Sequence, residues 1–247
     1  MSGMFAVFKR ELLSLFVTPI AWVASTAFLL FQGIHFYLLL SHFALQTNPG
    51  SAGPVETFFG GTVFLYLPLL VICPVLTMRL FAEERRSGTI EPLMTTPIAP
   101  VSVVLGKYFA ALVGYLLMWV PTLVYMFIVD AHSSVDWNVV GTGYLAVALV
   151  GAGYLAVGAM TSALTKSQLV AAVSSSMALS VLFTLGLGEF IFDEGAAREM
   201  CAYLSVWSQM NEFSRGVVDS RRLVFDGSLI VLPLFVAVRT VHAWRFE

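Results

Sequence analysis

Long apolar runs separated by short polar stretches dominate this chain. A transmembrane helix needs about 20 mostly apolar residues, and six runs reach or approach that length. They cover residues 20–40, 60–78, 108–129, 139–164, 169–188 and 228–243. The last run is the weakest, because its apolar core ends before Arg239 and its polar end must reach the membrane boundary. The pattern predicts an all-α polytopic membrane protein with six transmembrane helices.

The composition supports this fold class and excludes a soluble one. Hydrophobic residues make up 58% and charged residues 11% of the 247 positions, whereas soluble domains carry about 25% charged residues. The mean hydropathy is +0.86. Since the six runs use most of the length, we expect residues 1–247 to form a single transmembrane domain, without a nucleotide-binding domain.

A shorter amphipathic segment, residues 4–18, precedes the first run. Four of its apolar residues recur at spacings of three, four and three: Phe5, Phe8, Leu12 and Leu15. Lys9 and Arg10 fall elsewhere around the helical wheel. This pattern predicts a helix that lies in the membrane interface; the alternative is a frayed tail with some apolar residues.

Basic residues are distributed unevenly between the two sides of the predicted bundle. Four of the 13 lie in the long segment 189–227, namely Arg198, Arg215, Arg221 and Arg222. The others fall on the side that carries both termini and the polar hairpin 79–107. Because basic loops stay on the cytoplasmic side, we predict that the termini and the hairpin are cytoplasmic, in a bacterial inner membrane.

Ionisable residues are missing from the interiors of the six runs. Up to Val238, none of the runs contains Asp, Glu, Lys or Arg, whereas ion-coupled carriers keep such groups at depth. This argues against a secondary transporter. Gln32 and His35 in the first run are the nearest approach to a polar site, and we expect them to hydrogen-bond to a neighbouring helix. We expect no metal site, because His35 and His42 lack a histidine partner at matching depth.

The fourth run is rich in glycine, with Gly141, Gly143, Gly151, Gly153 and Gly158. Small residues let helix backbones approach closely in lipid. The sequence GxGYLAV repeats after ten residues, which places its two copies about 80° apart on the helical wheel. The run therefore predicts a tightly packed helix without a single glycine stripe.

The hairpin 79–107 is the most informative polar segment. Its first part should continue the second span as a helix that carries Glu83, Glu84, Arg85 and Arg86 into water, until Gly88 stops it. Since nothing in the rest of the chain is expected to cover the tip of the hairpin, we interpret the segment as a docking element for a partner. The alternative is an ordinary solvated helix end.

The tip of the hairpin should form a second, short helix. Thr89 is placed to cap it, and Glu91 lies in its first turn, where the helix dipole favours an acid. Leu93 and Met94 give it an apolar face, and Pro97 ends it. Pro100 then opens the helix that leads through Gly106 and Lys107 into the third span.

This hairpin resembles the segment between the second and third spans of type-2 ABC exporter permeases. In that family an acidic and basic cluster is followed by Gly-Thr, a Glu, a Leu, a Pro and a Gly-Lys pair. The matching residues here are Glu83, Glu84, Arg85, Arg86, Gly88, Thr89, Glu91, Leu93, Pro97, Gly106 and Lys107. Within the family, the chain is most similar to permeases of the gliding-motility and nitrous-oxide-reductase-accessory types.

The resemblance implies a permease that works as a dimer, with a second copy or a paralogue, and binds two ATPase subunits. Their clefts would receive the short helix near Thr89 and Met94. ATP and Mg²⁺ would be bound by the ATPase, and this chain would not be an enzyme. The sequence agrees, because Gly106-Lys107-Tyr108 lacks the upstream glycine and the hydroxyl of a phosphate-binding loop. The lipid bilayer is an expected partner and nucleic acid is not.

The segment 189–227 is long for a connection. An apolar stripe with spacings of three, three and four runs through Trp207, Met210, Phe213 and Val217. The family resemblance implies short re-entrant helices here, closing the pathway on the periplasmic side. The implied gate residues are Trp207, Met210, Phe213, Gly216, Val217 and Asp219. The alternative is an ordinary surface helix.

Two other classes of function remain open. A non-transporting scaffold or a channel subunit would fit the apolar spans equally well, and only the hairpin favours a permease over it. An intramembrane protease would need a nucleophile and a base at one depth. Three serines, Ser174 to Ser176, lie in the fifth run, but no histidine shares their depth. The cargo is not indicated by any motif.

Overall fold

A computed structural model of the chain describes residues 2–45, 53–60, 62–88 and 98–244. Across these residues the structure consists of helices and short connections and contains no strand, which confirms the all-α prediction. In chain order the helices are α1 Ser2–Val17, α2 Pro19–Leu45, α3 Pro54–Phe59, α4 Val63–Thr77, α5 Ala82–Ser87, α6 Pro100–Trp119, α7 Leu123–Asp130, α8 Trp137–Leu164, α9 Gln168–Leu187, α10 Ala196–Leu204, α11 Val206–Ser214 and α12 Ser220–Ala243.

The six predicted spans are confirmed by helix length and composition. Within the described parts of the chain, six helical segments are long and apolar enough to cross a membrane. They are Pro19–Leu45, Val63–Ser87, Pro100–Asp130, Trp137–Leu164, Gln168–Phe190 and Ser220–Ala243. The third segment contains a 3-10 turn, Val120–Thr122, at Pro121, where the ring removes a backbone donor.

Two of the span helices begin eight residues earlier than the apolar runs. The third begins at Pro100 rather than at 108, so Lys107 lies inside it. The last begins at Ser220 rather than at 228, because the Asp219 side chain caps it by accepting a hydrogen bond from the backbone nitrogen of Arg221 at 2.9 Å. The two helices therefore extend beyond the charge-free runs, and the added turns carry buried charged residues: Lys107 in α6, and Arg222 and Asp226 in α12.

Helix α8 is the centre of the bundle. In its most apolar stretch 78% of the residues are buried, against 22% in the segment Gln168–Phe190. It packs against α4, α6, α9, α11 and α12. Its high content of Gly and Ala explains this position, because small side chains allow neighbouring helices to approach on several sides at once.

Side chains of neighbouring helices lie over several of the glycines of α8. Phe59 lies over Gly143, Tyr115 lies over Gly151, and Thr77 lies over Gly158. The Tyr115 hydroxyl also donates to the backbone oxygen of Val147 on α8 at 3.0 Å. The predicted tight packing is confirmed, and it uses more than one face of the helix.

Gly158→Ala is expected to lower the free energy of unfolding by about 1–3 kcal/mol, the usual cost of overpacking a filled core. A Cβ at this position would lie 2.8 Å from the Cβ of Thr77, which leaves no room without moving α4. Gly141→Ala on the same helix is the matched control, because a Cβ there meets no atom within 4 Å. Thermal unfolding in detergent gives the midpoint of each variant. Equal midpoints for Gly158→Ala and Gly141→Ala would contradict the close packing of α4 on α8.

In the first span, His35 bonds to a neighbouring segment as expected, whereas Gln32 bonds to His35 and its buried Nε2 has no hydrogen-bond partner within the described residues. His35 and Gln32 are both buried, and His35 Nδ1 lies 3.3 Å from Gln32 Oε1. The other ring nitrogen lies 3.2 Å from the Thr62 hydroxyl, which is placed just before α4. The ring also stacks on Phe58 with a centroid distance of 5.1 Å. The pair therefore contacts neighbouring segments of the bundle.

Candidate functional site

The two ends of the hairpin 79–107 are well described and form the candidate site. After α4 the chain turns at Met78–Phe81 and continues as α5, with Glu83 and Glu84 in its first turn and Arg85 and Arg86 in its last. This order places each charge where the helix dipole favours it. Gly88 ends α5 with a φ of +72°, a conformation that side chains other than glycine rarely adopt. The expected polar helix and its glycine stop are confirmed.

A buried lysine joins three helices at this place. Lys107 of α6 is 1% exposed, and its Nζ lies 2.9 Å from Glu11 Oε1 of α1 and 3.0 Å from Glu84 Oε1 of α5. Arg10 Nη2 contacts the same two carboxylate oxygens at 2.7 Å each. The Lys107 ammonium also lies 5.4 Å from the ring centre of Phe81. We call Arg10, Glu11, Glu84 and Lys107 the anchor network.

The Glu11 carboxylate of the anchor network is held in its ionic form. Burial acts to raise the pKa of the Glu11 carboxyl, but the charge of Lys107 and the hydrogen bonds from Lys107 and Arg10 outweigh it. The pKa of Glu11 therefore lies below its usual range. The carboxylate is ionised at neutral pH, so Lys107 keeps its counter-charge in the low-dielectric surroundings.

The Gly-Lys pair of the sequence motif has a physical role in this contact. Helix α1 lies along the first half of α6, and Gly106 is the point of close approach. A Cβ at Gly106 would lie 2.9 Å from the backbone oxygen of Met4 and 3.2 Å from Val7. Because Gly106 has no side chain, α1 can approach α6 closely, and Lys107 supplies the cation that pairs with Glu11 of α1.

A side chain of α8, that of Ser162, holds the turn between α4 and α5 in place. The Ser162 hydroxyl accepts hydrogen bonds from the backbone nitrogens of Phe81 and Ala82, at 3.1 and 3.2 Å, and donates to the Met78 oxygen at 3.0 Å. These bonds satisfy backbone groups that the break in the helix leaves without helical partners. This role of Ser162 was not predictable from the sequence, because a serine in a Gly- and Ala-rich helix has many possible roles.

Helix α5 is also held by the end of the last span. The guanidinium of Arg85 lies 4.7 Å from the ring centre of Trp244, and its Nη1 donates to the Ala163 oxygen at 3.4 Å. Phe81 meets the edge of the same Trp244 ring. Glu83 pairs with Arg79 at 2.7 Å, and Arg86 is exposed.

The tip of the hairpin lies outside the described residues. This applies to Thr89, Glu91, Leu93, Met94 and Pro97, so the expected tip helix and its apolar face stay predictions. The structure does bring together Glu84, Gly106 and Lys107 from the two legs of the motif.

The N-terminal segment forms a helix, but its packed face differs from the expected stripe. Val7 and Glu11 face the bundle, with Leu15 half-buried beside them, whereas Phe5 is 65% exposed and stacks on Phe8. The sequence offered a signal for the packed face, because Val7, Glu11 and Leu15 are four residues apart.

The remaining predicted residues of α1 lie away from the packed core. Lys9 and Arg10 are exposed, and Leu12 is half-buried. The location of α1 in the membrane interface stays a prediction.

The predicted outer gate falls on α11 and the turn that follows it. Met210 and Phe213 are fully buried, and Trp207 is half-buried, with its ring 5.1 Å from that of Tyr66 on α4. Gly216 has a φ of +78° beyond the helix end, and Val217 is 56% exposed.

Asp219, by contrast, caps α12. It therefore has a structural role, whether or not the other residues close a pathway. The gate itself stays a prediction.

A polar cluster between α11 and α12 was not predicted. Arg222 donates to both carboxylate oxygens of Glu212, at 2.9 and 3.1 Å, and to the backbone oxygens of Ala202 and Tyr203, at 2.7 and 2.9 Å. One turn further along α12, buried Asp226 accepts a hydrogen bond from Gln209 at 2.6 Å. These contacts allow α12 to carry charges into the bundle.

Comparison with known protein families identifies the family of this chain. Residues 40–215 match the family model described as ABC-2 family transporter protein. The chain belongs to this family. Comparison with curated proteins gives no match.

The matched residues of this ABC-2 family transporter protein include α3 to α11 and therefore the whole hairpin. As a member of the family, the chain is a multi-pass membrane protein and the permease component of an ABC transporter. Family membership implies a partnership with an ABC ATPase.

Proposed function

We propose that this permease is an exporter subunit whose hairpin 79–107 receives the motion of separate ATPase subunits. The observation that carries the proposal is the anchor network, which fixes α1, α5 and α6 to one another at the two ends of the hairpin. A buried charge that loses its partner is strongly destabilising, so these three helices are expected to move as one unit.

Motion at the hairpin has a direct route into the bundle. The turn before α5 is bonded to Ser162 of α8, and α5 contacts Trp244 at the end of α12. Helix α8 packs on most of the other spans. A displacement of α5 by an ATPase would therefore reach the centre of the bundle through hydrogen bonds and packed side chains.

The chemistry of ATP belongs to the partner in this proposal. Two ATPase subunits would bind ATP and Mg²⁺, and the tip helix, with Thr89, Glu91, Leu93 and Met94, would dock in their clefts. The permease itself would not be an enzyme. In support, its sequence has no Gly-rich loop that ends in Gly-Lys-Ser or Gly-Lys-Thr.

The permease is proposed to act as a dimer with a second copy or a paralogue, in the inner membrane and with both termini cytoplasmic. Three spans leave faces available for lipid or for a second copy, because only 28%, 22% and 28% of their most apolar stretches are buried within the chain: Pro19–Leu45, Gln168–Phe190 and Ser220–Ala243. Helices α10 and α11 would close the outer side. The likeness to gliding-motility and nitrous-oxide-reductase-accessory permeases belongs to the same proposal.

Glu91→Arg is the test of coupling. In a complex of the permease and its ATPase, reversal of this charge is expected to reduce permease-stimulated ATP hydrolysis at least tenfold or to detach the ATPase, because the acid of the tip helix becomes a base. Glu194→Arg makes the same change in an exposed segment far along the chain. It should leave the stimulated ATP hydrolysis and the binding of the ATPase unchanged. Normal assembly and normal stimulation with Glu91→Arg would refute the proposal and favour a scaffold or channel subunit.

A further inference from the structure

Two adjoining cavities lie between α1, α2, α4 and α6. The larger has a volume of about 190 Å³ and a mostly apolar wall that includes Phe16, Trp22, Leu29, Met118 and Pro121. The smaller, of about 60 Å³, is lined in part by polar side chains: Glu11, Ser14, Thr18, Arg79 and Glu83. The two cavities share Leu15, Ala21 and Leu76 as wall residues. Together they form one groove with a polar end and an apolar end.

The length of the groove matches one leaflet of a bilayer. Its wall follows α2 from Ile20 at the polar end to Leu29 at the apolar end. At 1.5 Å per residue this distance is about 14 Å, close to half of the roughly 30 Å hydrocarbon thickness. Trp22 stands beside the polar end, 60% exposed, with its indole nitrogen donating to the Phe16 oxygen at 2.7 Å. Tryptophan favours this boundary depth.

The polar end carries both signs of charge. Arg79 binds Glu83 through Nε at 2.7 Å and Nη2 at 3.2 Å, and within the described residues its Nη1 makes no hydrogen bond. Nη1 is a donor suited to a phosphate oxygen. Glu83 and Glu11 line the same cavity and can accept hydrogen bonds from an ammonium group. The charges here are balanced, because Arg79 pairs with Glu83 and Glu11 pairs with Lys107 and Arg10. A balanced site offers no excess positive charge to a headgroup that carries only negative charge.

We propose that this groove binds one membrane glycerophospholipid whose headgroup carries a primary ammonium, as phosphatidylethanolamine does. The phosphate lies at Arg79, the ammonium lies at Glu83 and Glu11, and part of one acyl chain fills the apolar end beside Trp22. A second groove between α2 and α4 shows the contrast. Its wall is apolar throughout, with Phe28, Phe31 and Pro68, and it offers a headgroup no charged partner.

The site differs from a general lipid-facing surface in its selectivity. A quaternary ammonium, as in phosphatidylcholine, has no N–H donor for Glu83 and is bulkier. Phosphatidylglycerol has no cation to pair with Glu83 and brings a net negative charge to a site whose own charges are already balanced. We expect the ethanolamine lipid to bind at least tenfold more tightly than either.

Native mass spectrometry of the delipidated permease tests the proposal, with dioleoyl phosphatidylethanolamine, phosphatidylcholine or phosphatidylglycerol added in detergent. One bound ethanolamine lipid per chain is expected. Ala21→Phe fills the neck between the two cavities and should weaken binding at least tenfold. Val23→Phe adds the same ring to an exposed position of α2 that lines neither cavity. This variant should bind the lipid as tightly as the unmodified permease.

A second variant keeps the test independent of whether Ala21→Phe folds. Glu83→Gln leaves the apolar cavity intact but removes a charge that recognises the ammonium, so the preference over phosphatidylcholine should fall to threefold or less. Equal retention of the three lipids by the unmodified permease would mean annular lipid only and would overturn the proposal. Undiminished binding in folded Ala21→Phe, or an unchanged preference in Glu83→Gln, would do the same.

Discussion

Lys107→Met is expected to destabilise the folded permease by about 3–5 kcal/mol, the cost of removing one partner from a buried ion pair. The ammonium is almost fully buried and lies within 3.0 Å of carboxylates from two other helices. Without it, Glu11 and Glu84 face each other with only the half-exposed Arg10 to compensate. The apparent unfolding midpoint in detergent should fall steeply, with α1 released from α6.

A matched control and a compensating change separate this effect from a general loss of charge. Lys166→Met removes an exposed lysine between α8 and α9 and should leave the midpoint unchanged. Adding Glu11→Gln to Lys107→Met should restore part of the stability, because one uncompensated carboxylate is removed. If Lys107→Met unfolds at the temperature of the unmodified permease, the anchor network does not hold the hairpin.

The spans were predictable from the sequence because lipid imposes a simple requirement. Every backbone donor and acceptor must be satisfied within a helix, and the helix must be long and apolar enough to cross the bilayer. Gly88 and Pro100 were also readable, since their backbone chemistry dictates a helix stop and a helix start. These two local signals place the end of the polar helix α5 and the start of α6.

The burial of Lys107 was not predictable in the same way. Sequence reasoning places a lysine before an apolar run at the water boundary, where its ammonium is hydrated. Here the carboxylate of Glu11, 96 positions away in the chain, replaces that water. The contact arises from the packing of α1 along α6, which depends on Gly106 and Val7 together. No local pattern encodes such a tertiary contact.

The start of α12 was missed for a related reason. Arg221, Arg222 and Asp226 interrupt the hydropathy signal, so the apolar run seems to begin at 228. In the structure, Glu212 and Gln209 on α11 satisfy the two buried members, Arg222 and Asp226. The predicted apolar stripe of α11 is correct for Met210 and Phe213, which are fully buried.

Arg222→Ala is the second change with a large expected effect. The guanidinium is buried and holds α10, α11 and α12 together through Glu212, the Ser208 hydroxyl and the carbonyl ends of α10. Its loss leaves a partly buried carboxylate and two carbonyl oxygens without their donor. We expect a cost of about 3–5 kcal/mol and the loosening of α10 from the bundle.

The two cysteines of the chain provide a local readout of this loosening. Cys201 on α10 is partly exposed and packs over Gly188, whereas Cys73 on α4 is fully buried. Arg222→Ala should therefore increase the rate at which a maleimide labels Cys201 at least tenfold, while Cys73 stays protected. Arg221→Ala changes the exposed neighbouring residue and should leave the rate unchanged. Equal labelling of both cysteines would indicate general unfolding, and an unchanged Cys201 rate would show that Arg222 does not hold α10 in place.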